Sequence, residues 1–208
     1  MKKLIDISYT ISERLPVWPG DVKFEMHDTM SIEKGDICNN AYIKMCLHMG
    51  THVDFPRHFI KDGSAAHDTC LENFTGRAVV YEFGDKTCIG VDDMKDIPFY
   101  KGDVFIIKSL RNEALLKKGE FTFNFTGIDE DAAKYIVNKG VKAVGINYYS
   151  IEGPGKFPVH KTLLENGVMI IEGLSLAEVA PGMYTIFFFP LKIENGNGAP
   201  VRAVLMEE

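Results

Sequence analysis

The stretch DEDAAKYIVNKGVKAVGI, residues 129–146, indicates the fold class of this 208-residue chain. Asp129 is suited to cap a helix, the apolar residues that follow it recur at helical spacing, and Gly140 is suited to end the helix. The mostly apolar run that comes next, residues 141–146, predicts a buried strand. A helix that leads directly into a buried strand is typical of an α/β protein.

Short apolar or alternating segments on both sides of this unit predict further strands. A short helical turn is expected over residues 160–165, and few long helices are expected elsewhere. We therefore predict one α/β domain over residues 1–208, with too few long helices for a fully doubly wound sheet. The further strands are expected at residues 4–8, 40–47, 77–83, 103–108, 168–171, 184–189 and 201–205.

The composition is that of a soluble globular protein, with 46% hydrophobic and 25% charged residues. The net charge is −6, and Lys and Arg never form a run longer than a pair. Binding to nucleic acid or to an anionic membrane is therefore not expected. The sequence has no secretory signal and no apolar segment long enough to span a membrane. Its four cysteines lack paired spacing, which predicts reduced, mostly buried thiols and a cytoplasmic protein.

Residues 48–58 read HMGTHVDFPRH and hold three of the six histidines of the chain together with an aspartate. Two histidines and a carboxylate form a ligand set for a divalent metal ion. A straight strand would hold His48 and His52 roughly 13 Å apart, so the chain must bend, and Gly50 permits that bend. His52 and Asp54 lie two residues apart and point to the same side of an extended chain. This segment therefore predicts a metal site.

Residues elsewhere are candidates for completing the site, but the residues alone leave their roles open. Glu172 directly follows the apolar residues 168–171, and such a strand-end carboxylate is either solvated or bound to a partner. His160 opens a short helix, which is a common place for a histidine. Trp18 either lines a pocket or covers a turn by packing on the surface.

The motif H-x-G-T-H-x-D-x-P-x-H at residues 48–58 resembles the signature of the metal-dependent cyclase family, which includes the bacterial kynurenine formamidases. The resemblance implies the swivelling β/β/α fold of that family, a single α/β domain with a mixed sheet. Weaker similarities occur in the family's order at residues 4–8, at residues 18–21 (WPGD), in the spacing of His160 and Glu172, and at residues 198–204.

The resemblance also implies a metal centre. By similarity, His48, His52 and Asp54 hold one ion. Asp54 bridges to a second ion that His160 binds, and Glu172 contacts one or both ions. We expect Zn or Mn as the cofactor, with one or two ions per chain.

The activity implied by the resemblance is the hydrolysis of an amide in a small molecule. His58 corresponds to the general acid/base of the family, and Trp18 to an aromatic residue that lines the substrate pocket. The first expectation for the reaction is N-formylkynurenine to kynurenine and formate, in tryptophan catabolism. The family also implies a homodimer or a larger even homo-oligomer.

Two other functions stay open. The first is the opening of a cyclic amide or lactone, as in the isatin hydrolases of this family. It is favoured by residues 147–152, NYYSIE, where family members often carry Asp-x-x-Ser-[Ile/Val]-Asp. The second is a metal- or ligand-binding protein without catalysis. The presence of His58 is an argument against it, because a binding protein needs no acid/base beside its metal.

Overall fold

A mixed β-sheet forms the centre of the computed structural model, which describes residues 2–119 and 121–207. The strands of these residues are β1 (Leu4–Asp6), β2 (Glu25–Met30), β3 (Asn40–Lys44), β4 (His52–Asp54), β5 (Thr75–Phe83), β6 (Cys88–Ile89), β7 (Val104–Ser109), β8 (Gly127–Ile128), β9 (Ala143–Ile146), β10 (Met169–Glu172), β11 (Gly182–Phe187), β12 (Gly198–Pro200) and β13 (Val204–Glu207). The α-helices are α1 (Val91–Met94), α2 (Leu110–Leu116), α3 (Glu130–Lys139) and α4 (Pro158–Glu165).

The large sheet has the strand order β1-β13-β11-β5-β7-β9-β10-β4-β12. Its middle strands β5, β7, β9 and β10 are parallel, and the strands on both sides of them pair antiparallel. The carboxyl ends of β9 and β10 lie side by side, at the edge where α/β sheets usually bind ligands. The expected α/β fold with a mixed sheet is confirmed.

Hydrophobic cores cover the two faces of the large sheet. On one face, the helices α3 and α4 pack over β7, β9 and β10. The core on the other face joins residues of the middle strands to residues in or next to β1, β11, β12 and β13, the outer strands of the same sheet. Helix α3 begins as predicted, because the Asp129 side chain accepts a hydrogen bond from the Ala132 N–H. It ends at Gly140, whose φ of 71° is in the left-handed region that glycine favours.

The segments expected as strands all contain strands, but two expectations are corrected. The strand expected at residues 40–47 ends at Lys44, and all its residues are exposed. The cysteines are not mostly buried, because Cys38, Cys70 and Cys88 are exposed and Cys46 is half-buried. Within the described ranges, no helix is long and apolar enough to cross a membrane.

Candidate metal centre

Two antiparallel strands bring His52, Asp54 and Glu172 together. Val53 points into the hydrophobic core, so its neighbours His52 and Asp54 point to the opposite face of β4. Glu172 lies directly opposite His52 on β10, and its side chain is on the same face. The Nε2 atom of His52 is 3.4 Å from both Asp54 Oδ1 and Glu172 Oε2, and all three side chains are buried.

His48 reaches the same place because the chain turns at Gly50, as the sequence predicts. Gly50 has a φ of 70°, a backbone conformation that residues other than glycine rarely adopt. His48 Nδ1 lies 2.7 Å from Asp54 Oδ1, and its Nε2 lies 3.2 Å from Asn197 Oδ1. A Cβ atom at residue 198 would come within 2.4 Å of the His48 ring, so Gly198 leaves the space that this ring occupies.

His160 approaches the cluster from α4, which begins at Pro158. Its Nε2 is 3.2 Å from Glu172 Oε1 and 3.6 Å from Asp54 Oδ2. Its Nδ1 is 2.6 Å from Glu152 Oε1. The Glu152 carboxylate also accepts the backbone N–H groups of Val159 and His160, so it fixes both the ring and the start of the helix.

The donor atoms of this cluster fit a divalent cation. One nitrogen of His52 and one oxygen each from Asp54 and Glu172 all lie within 4.8 Å of one another. Within the described part of the chain, His52 Nε2 and Asp54 Oδ2 are buried without a hydrogen-bond partner. His52 Nδ1 is 3.0 Å from the Gly50 carbonyl oxygen. When the proton of the neutral ring is on Nδ1, this nitrogen donates to the carbonyl and Nε2 is free to bind a metal ion.

The buried carboxylates make the site strongly attractive to positive charge. Burial alone would lower the pKa of His52, but the nearby carboxylates of Asp54 and Glu172 raise it to about 10. The pKa of His160 also rises to about 10 against the effect of burial, because of Glu152 and Glu172. Such carboxylates require a compensating positive charge, which a bound divalent ion would supply.

His58 lies beside the cluster at the end of the 3-10 turn Pro56–His58. Its ring stacks on His48, with the ring centres 4.0 Å apart. Burial lowers the pKa of His58 to about 4, so the imidazole is neutral at pH 7 and can accept a proton. A nitrogen of His58 also lies within 4.8 Å of donor atoms of His48 and Asp54, so its position fits either an acid/base or a ligand.

An aromatic cavity of about 230 Å³ opens over this cluster. Four of its lining residues, His48, His58, His160 and Glu172, belong to the cluster or stack on it. Trp18 lines the cavity, and its ring lies 5.3 Å from Phe121 and 6.5 Å from Phe157 between ring centres. The other lining residues are Pro16, Val17, Asp21, Phe59, Tyr149, Ser150 and Phe157.

The structure brings together all seven residues that the sequence singled out. It adds Glu152 and Asn197, which contact His160 and His48. In the sequence, Glu152 is visible only as the acid at the end of the loop 147–152. Asn197 lies 149 residues from His48, so no local pattern connects the two. In that loop, Asn147 points away from the cavity and bonds the backbone of Ser109, whereas Tyr149 lines the cavity.

A buried cluster of histidines and carboxylates beneath an aromatic cavity, on an α/β sheet, defines the class of a metal-dependent hydrolase. Comparison with known proteins places the chain more closely. The Cyclase family model matches residues 5–153, and the chain belongs to this family.

Full-length relatives support the same class. The chain is 33% identical over 207 residues to the kynurenine formamidase of Geobacillus thermodenitrificans, covering 99% of this chain and 98% of the relative. A solved structure of a potential metal-dependent hydrolase with cyclase activity matches with a TM-score of 0.87 at 30% identity, over 100% of this chain and 99% of that one.

The isatin hydrolase A of Ralstonia solanacearum shares the fold. Its TM-score is also 0.87, at 19% identity, over 100% of this chain and 92% of that one. The kynurenine formamidase relative and the hydrolase structure at 30% identity identify an enzyme of the amidohydrolase type. Its buried His/Asp/Glu site suggests a divalent metal ion as the cofactor.

Proposed function

We propose that the protein hydrolyses N-formylkynurenine to kynurenine and formate. The observation that carries this proposal is the joining of three features in one cavity: aromatic walls, a buried cation-binding cluster, and the neutral imidazole of His58. Aromatic walls suit an aryl amide. The name of the Geobacillus relative, kynurenine formamidase, supports the choice of substrate.

We propose Zn or Mn as the ion, with one or two ions per chain. The residues that would hold it are His48, His52, Asp54, His160 and Glu172. When bound, a divalent ion supplies Lewis-acid chemistry, polarising the amide carbonyl and lowering the pKa of water. Glu152 holds the His160 ring in place for this role.

His58 moves the proton in this proposal. Its neutral ring takes a proton from the attacking water as the new C–O bond forms at the formyl carbon. The same ring then gives that proton to the aryl nitrogen as the C–N bond breaks, so that an amine and formic acid leave, and the acid loses its proton to solvent as formate. Positioned proton transfer of this kind typically contributes ~10²–10⁴ in rate.

Trp18 has the role of holding the aryl ring. It is half-buried and packs edge-on against Phe121 and Phe123, which fixes its orientation at the cavity wall. A rigid aromatic wall beside the metal cluster favours a flat substrate, because offset or edge-to-face ring contacts add roughly 0.5–1.5 kcal/mol beyond the area they bury.

The test is hydrolysis of N-formylkynurenine by tag-free protein loaded with Zn or Mn, compared with the same protein treated with a chelator. We expect turnover with metal, loss on chelation and recovery when metal is added back. Bound metal without turnover would overturn the proposal. It would leave either another substrate or a binding protein without catalysis.

A second candidate is the opening of a cyclic amide or lactone. Tyr149 favours it, because this bulky side chain lines the cavity in a loop where smaller residues are common in the family. An assay of isatin under the same conditions separates the two candidates. If isatin is turned over faster than N-formylkynurenine, the cyclic amide is the better substrate and the second candidate replaces the first.

We also propose a cytoplasmic homodimer or larger even homo-oligomer. The ribbon of β2 and β3 supports an assembly, because Met26, Tyr42 and Ile43 are all more than half exposed on it. A two-stranded ribbon of this kind is marginally stable without a covering surface. Light scattering that gives the mass of a single 23.3 kDa chain would contradict the assembly.

A further inference from the structure

The histidine and acidic side chains that line the aromatic cavity are unevenly distributed. Four of them, His48, His58, His160 and Glu172, belong to the cluster or stack on it. Asp21 is the remaining charged residue among the described lining residues, which include no Lys or Arg. The cavity therefore presents a carboxylate to its contents in addition to the carboxylates of the metal cluster.

The chain places Asp21 next to the aromatic wall. The Asp21 N–H donates to the carbonyl of Trp18, 3.0 Å away, which closes a tight turn and puts both residues on the cavity. Asp21 is half-buried and forms no ion pair with the described part of the chain. Its side-chain neighbour is the Cys46 thiol, whose pKa is raised first by burial and then by this carboxylate.

A half-buried carboxylate without a counter-ion costs free energy, and a cationic ligand would remove that cost. The ring of Trp18 lines the same cavity and would add a second favourable interaction, because the faces of aromatic rings attract cations. A carboxylate beside an indole ring is a suitable binding site for an alkylammonium group. A ligand carboxylate in direct contact with Asp21 would be repelled, so an amino-acid ligand would turn its ammonium toward Asp21 and the carboxylate on the same carbon away from it.

We propose that Asp21 is a specificity-determining residue that pairs with the ammonium group of the substrate. The cavity thus selects an aryl amide that carries an aliphatic ammonium. This inference rests on the proposed function, because it concerns the part of the substrate remote from the scissile amide. Asp21 binds this remote group and takes no part in bond breaking.

The test compares two substrates that differ only in the ammonium: N-formylkynurenine and its desamino analogue, 4-(2-formamidophenyl)-4-oxobutanoic acid. For Asp21→Asn, we expect kcat/KM for N-formylkynurenine to fall roughly 10- to 100-fold, as for the loss of one charged hydrogen bond. Most of this loss should be in KM, because the contact is present in both ground state and transition state. The kcat/KM for the desamino analogue should stay level or rise.

The matched control is Asp96→Asn, which removes the same charge from an exposed position after α1. It should leave both substrates unchanged. Metal content measured by mass spectrometry should be the same in both variants and in the unsubstituted protein, which shows that the Asp21 effect does not come from a damaged site. Equal losses for both substrates in Asp21→Asn would overturn the inference.

Binding of the two products keeps this test separate from the test of the proposed function. L-kynurenine and its desamino acid are titrated calorimetrically into the metal-loaded protein and into Asp21→Asn. We expect tighter binding of kynurenine to the unsubstituted protein and loss of that preference in the variant. If the unsubstituted protein shows no preference for kynurenine, the inference fails, whether or not any formamide is hydrolysed.

Discussion

His52 and Glu172 lie directly opposite each other on the antiparallel strands β4 and β10, with His52 Nε2 3.4 Å from Glu172 Oε2. Because the pair is set by strand register, any shift of β4 by one residue would turn His52 and Asp54 into the core and Val53 out of it. The hydrophobic core therefore holds the ligand geometry in place. Packing on one face of the sheet thus positions the histidine and carboxylate side chains on the other face.

Asp54 is the carboxylate that contacts most of the cluster, with an oxygen within 4 Å of His48, His52 and His160. We predict that Asp54→Asn lowers metal affinity by more than the roughly 10- to 100-fold typical of changes outside the ligand shell. The amide keeps the volume and removes the charge. Competition with a chromogenic chelator measures the affinity, and Asp96→Asn, at an exposed position after α1, is the control. Unchanged affinity would remove Asp54 from the ligand set.

We predict that alanine substitutions of His58 and His52 differ in their effect on metal binding. His58→Ala should keep the metal and lose turnover by ~10²–10⁴, the usual contribution of a positioned acid/base. His52→Ala should lose the metal as well, because its unpartnered Nε2 faces Asp54 and Glu172. Metal content and turnover are measured on the same samples. Equal metal loss in both variants would make His58 a ligand.

Glu152 acts on the site through His160, from which its Oε1 is 2.6 Å. We predict that Glu152→Gln weakens metal binding roughly 10- to 100-fold, because the ring loses the charged partner that fixes its orientation. Glu152→Asp keeps the charge and should recover part of the affinity. The matched control is Glu165→Gln, at the exposed end of α4. The equilibrium metal affinity is the readout, so the result does not depend on the substrate.

The sequence predicts the parts of the site that local geometry determines. The alternation of His52, Val53 and Asp54 and the bend at Gly50 follow from short-range backbone rules, and the structure has both. Contacts set by sheet order are different. Asn197 contacts His48 because β12, which follows Asn197, pairs with β4, and no local sequence pattern predicts that pairing.

The loop at residues 147–152 shows the same limit. Its departure from the family pattern is visible in the sequence, but the directions of its side chains are not. Asn147 is buried and binds Ser109, Tyr148 is buried, and Tyr149 reaches the cavity. Of the substitutions in this loop, the structure therefore connects Tyr149, rather than Asn147, with substrate choice.

Asn147 provides the last prediction, which separates stability from specificity. Its Oδ1 accepts the Ser109 N–H at 2.9 Å, and its Nδ2 donates to the Ser109 carbonyl at 3.0 Å. Asn147→Asp replaces that donor with an oxygen facing the carbonyl. We predict a loss of about 1–3 kcal/mol in the free energy of unfolding, measured with urea, as for a buried acceptor left without its donor.

The same variant should leave substrate choice unchanged, because Asn147 does not line the aromatic cavity. Tyr149→Ala is the comparison: it removes the bulky ring that lines the cavity and should alter the ratio of kcat/KM between the formamide and isatin more than Asn147→Asp does. If Asn147→Asp shifts that ratio while the unfolding free energy stays constant, the amide acts on specificity and the structural role assigned to it is wrong.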